Sequence, residues 1–593
     1  PQILHLRGRN GDGFRLTSAA PGLSRQFSLD RTWPFILDIL VFATVLAVFY
    51  GVLTIAHYWL GQAVPVTEIS RSPWSLPRYA FYSLVRMGIA YFLSLIFAVV
   101  YGRIAAYNQT LQPFMVAILD ILQSIPVLSF LPGVMLAMVA LFPSKQVGVE
   151  LGSIVLIFTG QVWNMAFSFY SSLKSIPREL TEASTIYRYG QWQRFFQLEL
   201  PYGTIGLIWN SIVSVAGGWF FLMACEMFVL GKRDFRLPGL GSYLQTAAGN
   251  GDTYAMLWGL AAMIGVILLI DQLIWRPLIA WSSKFKFEQV ESTHAPTSPL
   301  LHLMRNSHLL NLFREKTVAP LGEWINLYFA RRKPSPKSSE TSPTWLKSLG
   351  AVLAVVAIAG VGYEVFRAVA LLRGVNGAEF SGLMKGAAAT FLRVNVSLLI
   401  ASAWTIPAGV AIGFNPRLAR IMQPVTQVAA SVPATALFPV LLLAIVQLGG
   451  GLGVGSIVLM LLGTQWYILF NVIAGASAIP SDLKEVANLF HFSRTDRWRI
   501  VILPGIFPYL VTGLVTASGG AWNASIVAEY FHFKDSVMST VGLGAQISAA
   551  TDAGRFDTLL MATIVMATLV VCTNRLVWRP LYRLAETKYR LES

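Results

Sequence analysis

The chain has 593 residues, 55% of them hydrophobic and only 12% charged, with a formal net charge of +16. A soluble protein carries about a quarter charged residues, so a soluble globular class is excluded. The Lys and Arg excess gathers between apolar runs, as it does beside membranes, and is therefore no sign of a nucleic-acid partner.

Residues 1–33 are polar and basic and lack a short cleavable apolar core, which predicts a cytoplasmic N-terminal segment followed by an uncleaved first span. A spanning helix needs about 20 apolar residues. Runs of that kind fall at 34–58, 79–101, 112–141, 148–170, 202–230 and 254–281, the third interrupted by Pro126 and Pro132. Residues 282–343 then turn polar, with ARRKPSPKSSETSPT marking a cytoplasmic linker. Within the linker, 300–313 has the pattern of an amphipathic surface helix, or of a tether with one apolar patch. Six more runs follow at 345–371, 387–413, 423–446, 454–474, 509–531 and 557–578, and 583–593 forms a polar C-terminal tail. Cys225 and Cys572 both lie in apolar runs and read as small core residues rather than as a disulfide or metal pair. Outer-membrane strand alternation is absent.

The second half repeats the first. The stretch from Ile176 to Pro201 (IPRELTEASTIYRYGQWQRFFQLELP) recurs from Ile479 to Pro504 (IPSDLKEVANLFHFSRTDRWRIVILP), an offset of 303 at both ends. The same offset relates Trp163 to Trp466, Trp219 to Trp522, Glu226 to Glu529, Gly239 and Gly241 to Gly542 and Gly544, and Trp275-Arg276-Pro277-Leu278 to Trp578-Arg579-Pro580-Leu581. Upstream, Ser124 and Pro126 match Ser431 and Pro433 at an offset of 307. The expected fold is an all-α polytopic membrane protein of about twelve helices, built as two parallel six-helix repeats spanning 34–281 and 344–582. Lys and Arg favour one side of this arrangement about three to one. That places both termini, the linker and both repeated charged segments in the cytoplasm.

In each charged segment an apolar knob sits at helical spacing: Ala183, Ile186 and Tyr187, then Val486, Leu489 and Phe490. Glu182 and Glu485 precede the knobs, and Pro201 and Pro504 open the next span, where proline is tolerated. Such helices suit docking into a cleft of a soluble partner.

These residues resemble the cytoplasmic signature of the permeases of binding-protein-dependent ABC importers, which reads E-A-A, three residues, G, and then L-P nineteen residues after the Glu. Glu182-Ala183-Ser184 leads to Leu200-Pro201, and Glu485-Val486-Ala487 to Leu503-Pro504, at that distance. Arg188 and His491 stand where the family has glycine, and Gly190 offers a turn to the first copy alone. The resemblance covers about 75–280 and 380–582 and is strongest to the nitrate, sulfonate, taurine and bicarbonate branch. It implies a type I importer-like permease, two cytoplasmic ABC ATPase subunits carrying ATP and Mg, and an extracytoplasmic solute-binding protein. It also implies a bacterial inner-membrane location and a small anionic solute. No G-x-x-x-x-G-K-[ST] loop occurs, so the chain is expected to hold no cofactor and to be no enzyme. The glycine run at 449–455 has no Lys and reads as a turn.

Ionisable residues inside spans are functional candidates. Arg86, Arg393, Asp120 and Asp271 qualify, as do Glu226 and Glu529, either as gate residues hydrogen-bonded to the following loop or as interfacial carboxylates satisfying local amides. Hydroxyl, amide and indole donors suited to an anion path are Gln123, Ser124, Trp163, Asn164, Ser431, Thr464, Gln465, Trp466 and Asn523. Lys232, Arg233 and Arg236 are expected to meet an acidic lobe of the binding protein. The competing class is an ion-coupled secondary transporter. It would call for inverted repeats or intramembrane proton carriers, and the sequence shows neither.

Overall fold

The computed structural model describes residues 68–285, 314–331 and 376–588, apart from 125, 143–145, 231, 232, 534 and 535, together with isolated positions between these stretches. The run at 34–58 and nearly all of 345–371 and of 300–313 lie outside the described residues. The first half contains α1 (Leu76–Tyr107), α2 (Gln112–Ser124), α3 (Leu131–Leu141), α4 (Val147–Lys174), α5 (Arg178–Ile186), α6 (Leu200–Glu226), α7 (Leu240–Gly249) and α8 (Thr253–Ile270). After α9 (Ala319–Arg331), the second half repeats the order. It runs through α10 (Gly377–Phe414), α11 (Pro416–Ser431), α12 (Ala434–Gln447), α13 (Leu452–Ala478), α14 (Ser481–Leu489), α15 (Leu503–Ala528), α16 (Leu543–Asp552) and α17 (Phe556–Thr573). Eight helices among the described residues are long and apolar enough to cross a membrane, four in each half. The chain is an all-α polytopic membrane protein made of two repeats.

The third run of each half is not one span. In the first half a 3-10 turn at Val127–Phe130 separates α2 from α3, with Pro126 extended at φ −61° and ψ 117°. In the second, Val432 and Pro433 break the chain between α11 and α12. A residue before proline is pushed out of the α region, so the helix ends there although the apolar run continues. The fifth run of each half also stops early. α6 ends at Glu226 and α15 at Ala528, and each leads into a short antiparallel hairpin. The hairpins are β1 (Val229–Leu230) with β2 (Arg233–Asp234), and β3 (Tyr530–Phe533) with β4 (Ser536–Ser539).

A single device recurs along the chain. π-helical turns occupy Phe195–Glu199, Asp271–Trp275, Arg314–Val318, Arg497–Ile502 and Asn574–Trp578. Each ends two residues before a proline: Pro201, Pro277, Pro320, Pro504 and Pro580. Proline has no N–H to offer the carbonyl four residues back, and its ring crowds that carbonyl. Widening the turn lets the carbonyls bond one residue further on, so the helix continues instead of kinking. Pro201 and Pro504 therefore sit inside longer helical runs, Gln191–Glu226 and Arg494–Ala528, rather than at a fresh start.

α4 packs between α1 and α6, and α13 takes the same place between α10 and α15. The broken elements reach across to the other half. Asn523 on α15 accepts the Leu128 amide at 3.4 Å, and the Thr563 hydroxyl donates to the Ser129 carbonyl at 3.3 Å. α12 returns the contact against α6 and α7.

Candidate functional site: two coupling segments and a latched far end

At one end of the bundle the two repeated segments form matching motifs. α5 and α14 each cover nine residues, with Pro177 and Pro480 in the N-cap positions. Ser184 and Ala487, 303 apart, turn inward and are buried, which fixes each helix against the membrane helices. The opposite face carries the knobs: Ile186 is 78% exposed, Tyr187 73%, Leu489 77% and Phe490 67%. Glu182, Arg188, Glu485, Val486 and His491 are exposed beside them, while Ala183 is half-buried. Apolar residues this open on paired short helices make each helix end an exposed hydrophobic patch.

Each segment closes in a turn that needs a left-handed residue. Arg188 has φ 53° and His491 φ 47°, and they are the described non-glycine residues with positive φ. The Tyr189 amide donates to the Ser184 carbonyl at 2.9 Å, and the Phe492 amide to the Ala487 carbonyl at 3.0 Å. This is the bond pattern of a helix ended by a left-handed cap, where glycine is usual. The turn is therefore made in both copies despite the missing glycine. Gly190 does not supply it, since its φ is −66°.

The copies differ behind the knob. Glu199 is buried and pairs with Arg103 on α1 at 2.8 Å and with Arg194 at 3.1 Å. The equivalent positions in the second half are Val410 and Ile502.

At the opposite end lies a buried ionic latch. Arg86 donates through Nε and Nη2 to both Glu150 oxygens, at 2.5 and 2.7 Å, and through Nη1 to Glu226 at 2.8 Å and the Pro238 carbonyl at 2.9 Å. Glu226 also accepts the Ser83 hydroxyl at 2.6 Å and the Gly241 amide at 2.7 Å. In the second half Arg393 donates to Glu529 at 2.9 Å and to the Val541 carbonyl at 2.7 Å. Glu529 accepts the Thr390 hydroxyl at 2.8 Å and the Gly544 amide at 2.9 Å. Gly453 replaces Glu150 there, and the spare Arg393 nitrogen bonds the Thr540 hydroxyl at 2.9 Å. The repeated glycines have a steric reason. A Cβ on Gly239 would lie 2.2 Å from the Glu226 carboxylate, and one on Gly542 would lie 2.1 Å from that of Glu529.

The residues picked for a solute path are spread over both halves. Glu226 and Glu529 are fully buried and accept amides of the following loop, Gly241 and Gly544, the bond that both alternatives for these residues shared. Thr464 is buried and donates to the Met460 carbonyl at 2.8 Å, and Gln465 is buried too. Trp163 meets Phe97 edge to face at 6.3 Å, and Trp466 meets Trp404 in the same way at 6.4 Å. Both indoles pack within their own half, because the helix carrying each one faces α1 or α10 at that level. Gln123 and Asn164 do come together, at 2.9 Å. Asn523 bridges the halves. Nothing is described for the Ser124 and Ser431 side chains. Of the basic loop, Lys232 and the Arg233 side chain lie outside the description, and Arg236 donates to the Thr246 hydroxyl at 3.3 Å. Asp271 pairs with Arg276 at 3.1 Å.

Two matches to one family model cover residues 94–274 and 405–578, together well over half of the chain. The model describes the inner membrane component of binding-protein-dependent transport systems. The chain belongs to this family, with two copies of its domain fused in one polypeptide. It is 31% identical over 196 residues to a nitrate import permease of Leptolyngbya laminosa, an alignment covering 33% of this chain and 67% of the relative. A bicarbonate transport system permease of Synechococcus elongatus (strain PCC 7942) is 29% identical over 197 residues, 33% of this chain and 67% of the relative. A taurine transport system permease of Escherichia coli is 26% identical over 204 residues, 34% and 70% respectively. Both repeats and their fusion, read above from constant sequence offsets, agree with the doubled match.

The described residues missed by sequence reasoning are Glu150 in the latch, Glu199 with Arg103 behind the first coupling helix, and the residues enclosing a cavity between the halves. Glu150 and Glu199 carried one usable signal. Each is a carboxylate, Glu150 in an apolar run and Glu199 at the end of the charged segment, whose counterpart, Gly453 or Ile502, is uncharged.

Proposed function

We propose that this chain supplies both transmembrane permease units of an ATP-driven importer, joined by the linker. α5 and α14 dock on two cytoplasmic ABC ATPase subunits, which hold ATP and Mg. The chain itself is a transport subunit without a catalytic centre. The latched end faces a solute-binding protein outside the inner membrane, with Lys232, Arg233 and Arg236 offered to its acidic lobe. Both termini and the linker lie in the cytoplasm.

The observation that carries this reading is the pair of exposed knobs at one end of the bundle, each closed by the same kind of left-handed cap and each followed, after a short turn, by a spanning helical run. Closure of two ATPase subunits would pull the knobs together. The rigid runs Gln191–Glu226 and Arg494–Ala528 would carry that motion to the far end. A small solute then passes between the halves, of the kind for which the relatives are named: nitrate, bicarbonate or taurine.

Purification of the full chain from its native membrane tests the assignment. Two ATPase subunits should copurify, and Glu182→Ala combined with Glu485→Ala should release them while the chain stays folded. Retention of full ATPase stoichiometry by that double variant would count against docking through α5 and α14.

A further inference from the structure

Helix α9 lies between the two repeats and belongs to neither. The π-turn at Arg314–Val318 leads directly into it, so residues 314–331 make one helical run about 27 Å long. The helix packs against Gln191–Arg194, where the spanning run Gln191–Glu226 begins. Leu321, Trp324 and Tyr328 follow one another at i, i+3 and i+7 along one face, with Leu327 at its edge. All four are at least 49% exposed, and the Trp324 and Tyr328 rings stack with centroids 5.5 Å apart. Glu323 falls on the opposite side and is exposed as well.

Length and charge restrict what can cover this stripe. The run is not among the helices apolar enough to cross a membrane, and Arg314, Glu315, Lys316 and Glu323 interrupt it. An amphipathic helix of this kind lies flat at a membrane surface, with Trp, Tyr and Leu at the level of the headgroups. Its neighbour has the same character, since Trp192 and Phe196 are exposed and stack at 5.3 Å where the spanning run starts. The flanks are basic. Arg314 and Lys316 precede the stripe, Arg331, Arg332 and Lys333 follow it, and residues 300–337 carry seven Lys and Arg against two Glu. Such flanks suit anionic headgroups. A cleft on a soluble partner takes a compact knob, like that of Ile186 and Tyr187, rather than a stripe of this length.

We propose that this helical run is an interfacial anchor whose apolar stripe lies in an anionic lipid surface, at the foot of the first coupling segment. Through the contact with Gln191–Arg194 the anchor ties that segment to the lipid beside it. The proposal rests on the importer reading at one point, which is that the surface concerned is the cytoplasmic leaflet.

The test uses the full chain with Cys572→Ser in nanodiscs of phosphatidylcholine and phosphatidylglycerol. One cysteine is added at a time, by Leu321→Cys or Leu327→Cys on the stripe or by Glu323→Cys opposite, and labelled with bimane. Cys225 is buried and does not interfere. Lipids brominated in the acyl chain should quench both stripe labels about tenfold more efficiently than the label at 323, and aqueous iodide should show the reverse order. Arg331→Gln, Arg332→Gln and Lys333→Gln should each lower the ratio of lipid-bound to free stripe by about fivefold, and pure phosphatidylcholine discs should lower it too. Equal lipid quenching of the three labels, stripe labels quenched best by iodide, stripe labels shielded only when ATPase subunits are added, or quenching unchanged in pure phosphatidylcholine would each overturn the proposal. ATPase copurification is read separately, so loss of the importer reading and loss of this anchor give different results.

Discussion

Arg188 and His491 lie 303 residues apart and hold the same left-handed turn, with φ 53° and 47°. Neither side chain favours that conformation, which costs an L-residue about 1–2 kcal/mol. Both turns persist because the helix before each is pinned by a buried small residue, Ser184 or Ala487, and the chain after each enters a long spanning run. Replacing either residue with valine should lower thermal stability of the purified chain by about 1–2 kcal/mol, since a β-branched side chain fits this region worst. Glycine at either place should match or exceed the native midpoint.

The latch should be unequal between halves. Arg86 is buried against two carboxylates, so Arg86→Met strands both and should cost about 3–5 kcal/mol in detergent melting experiments. Arg393 faces one carboxylate and its side chain is 15% exposed. Arg393→Met should therefore cost less, about 1–3 kcal/mol. Gly239→Ala should be as damaging as losing Arg86, because its Cβ collides with the Glu226 carboxylate.

Behind the first coupling helix, Glu199 and Arg103 can be exchanged for the second half's own solution. Glu199→Ile alone leaves Arg103 beside an apolar contact, and Arg103→Val alone leaves a buried carboxylate with Arg194 only. The double variant should recover most of the loss. A double-mutant cycle on melting should give a coupling of about 1–2 kcal/mol, reduced by the partial exposure of both arginines.

Ile186 and Leu489 touch solvent rather than core, so Ile186→Ser with Leu489→Ser should leave the melting midpoint within about 0.5 kcal/mol of native. The same double variant should sharply reduce solute-stimulated ATP hydrolysis by the reconstituted complex. A fall in stability instead would show that the knobs pack against this chain.

Burial, then the hydrogen bond to Asp552 and its charge, push the Tyr530 phenol above its ordinary range. The neutral phenol is the form the fold favours. Its contribution is complete below the unfolded value near 10 and is lost as pH climbs beyond it. Tyr530→Phe should melt with a shallower decline between about pH 9.5 and 11 than the native chain, and absorbance titration should lose one late-ionising phenol.

Sequence alone determined the class, the duplication and the place of the two repeated charged segments. Hydropathy reports length in apolar solvent, and a constant offset survives wherever two copies diverge by substitution. The knobs at Ile186 and Leu489 were legible because an amphipathic face is written within one short helix. The third span was not, because apolar content does not distinguish a straight helix from one broken at Pro126 or Pro433. The fifth spans were overrun, since the residues after Glu226 and Glu529 remain apolar while the backbone turns into hairpins.

Only the tertiary structure decided which charges meet. Arg86 and Glu226 are 140 residues apart and Arg393 and Glu529 are 136 apart, and no local pattern joins partners at such a distance. It also decided that Trp163 and Trp466 pack inside their own halves, and that Gln245 and Asp552 face one cavity. The first two relationships arise from how helices pack within each half, and the last from how the two halves sit against each other, through contacts such as Leu128 with Asn523. Packing across a repeat interface is a property of surfaces in space, which spacing along the chain does not encode.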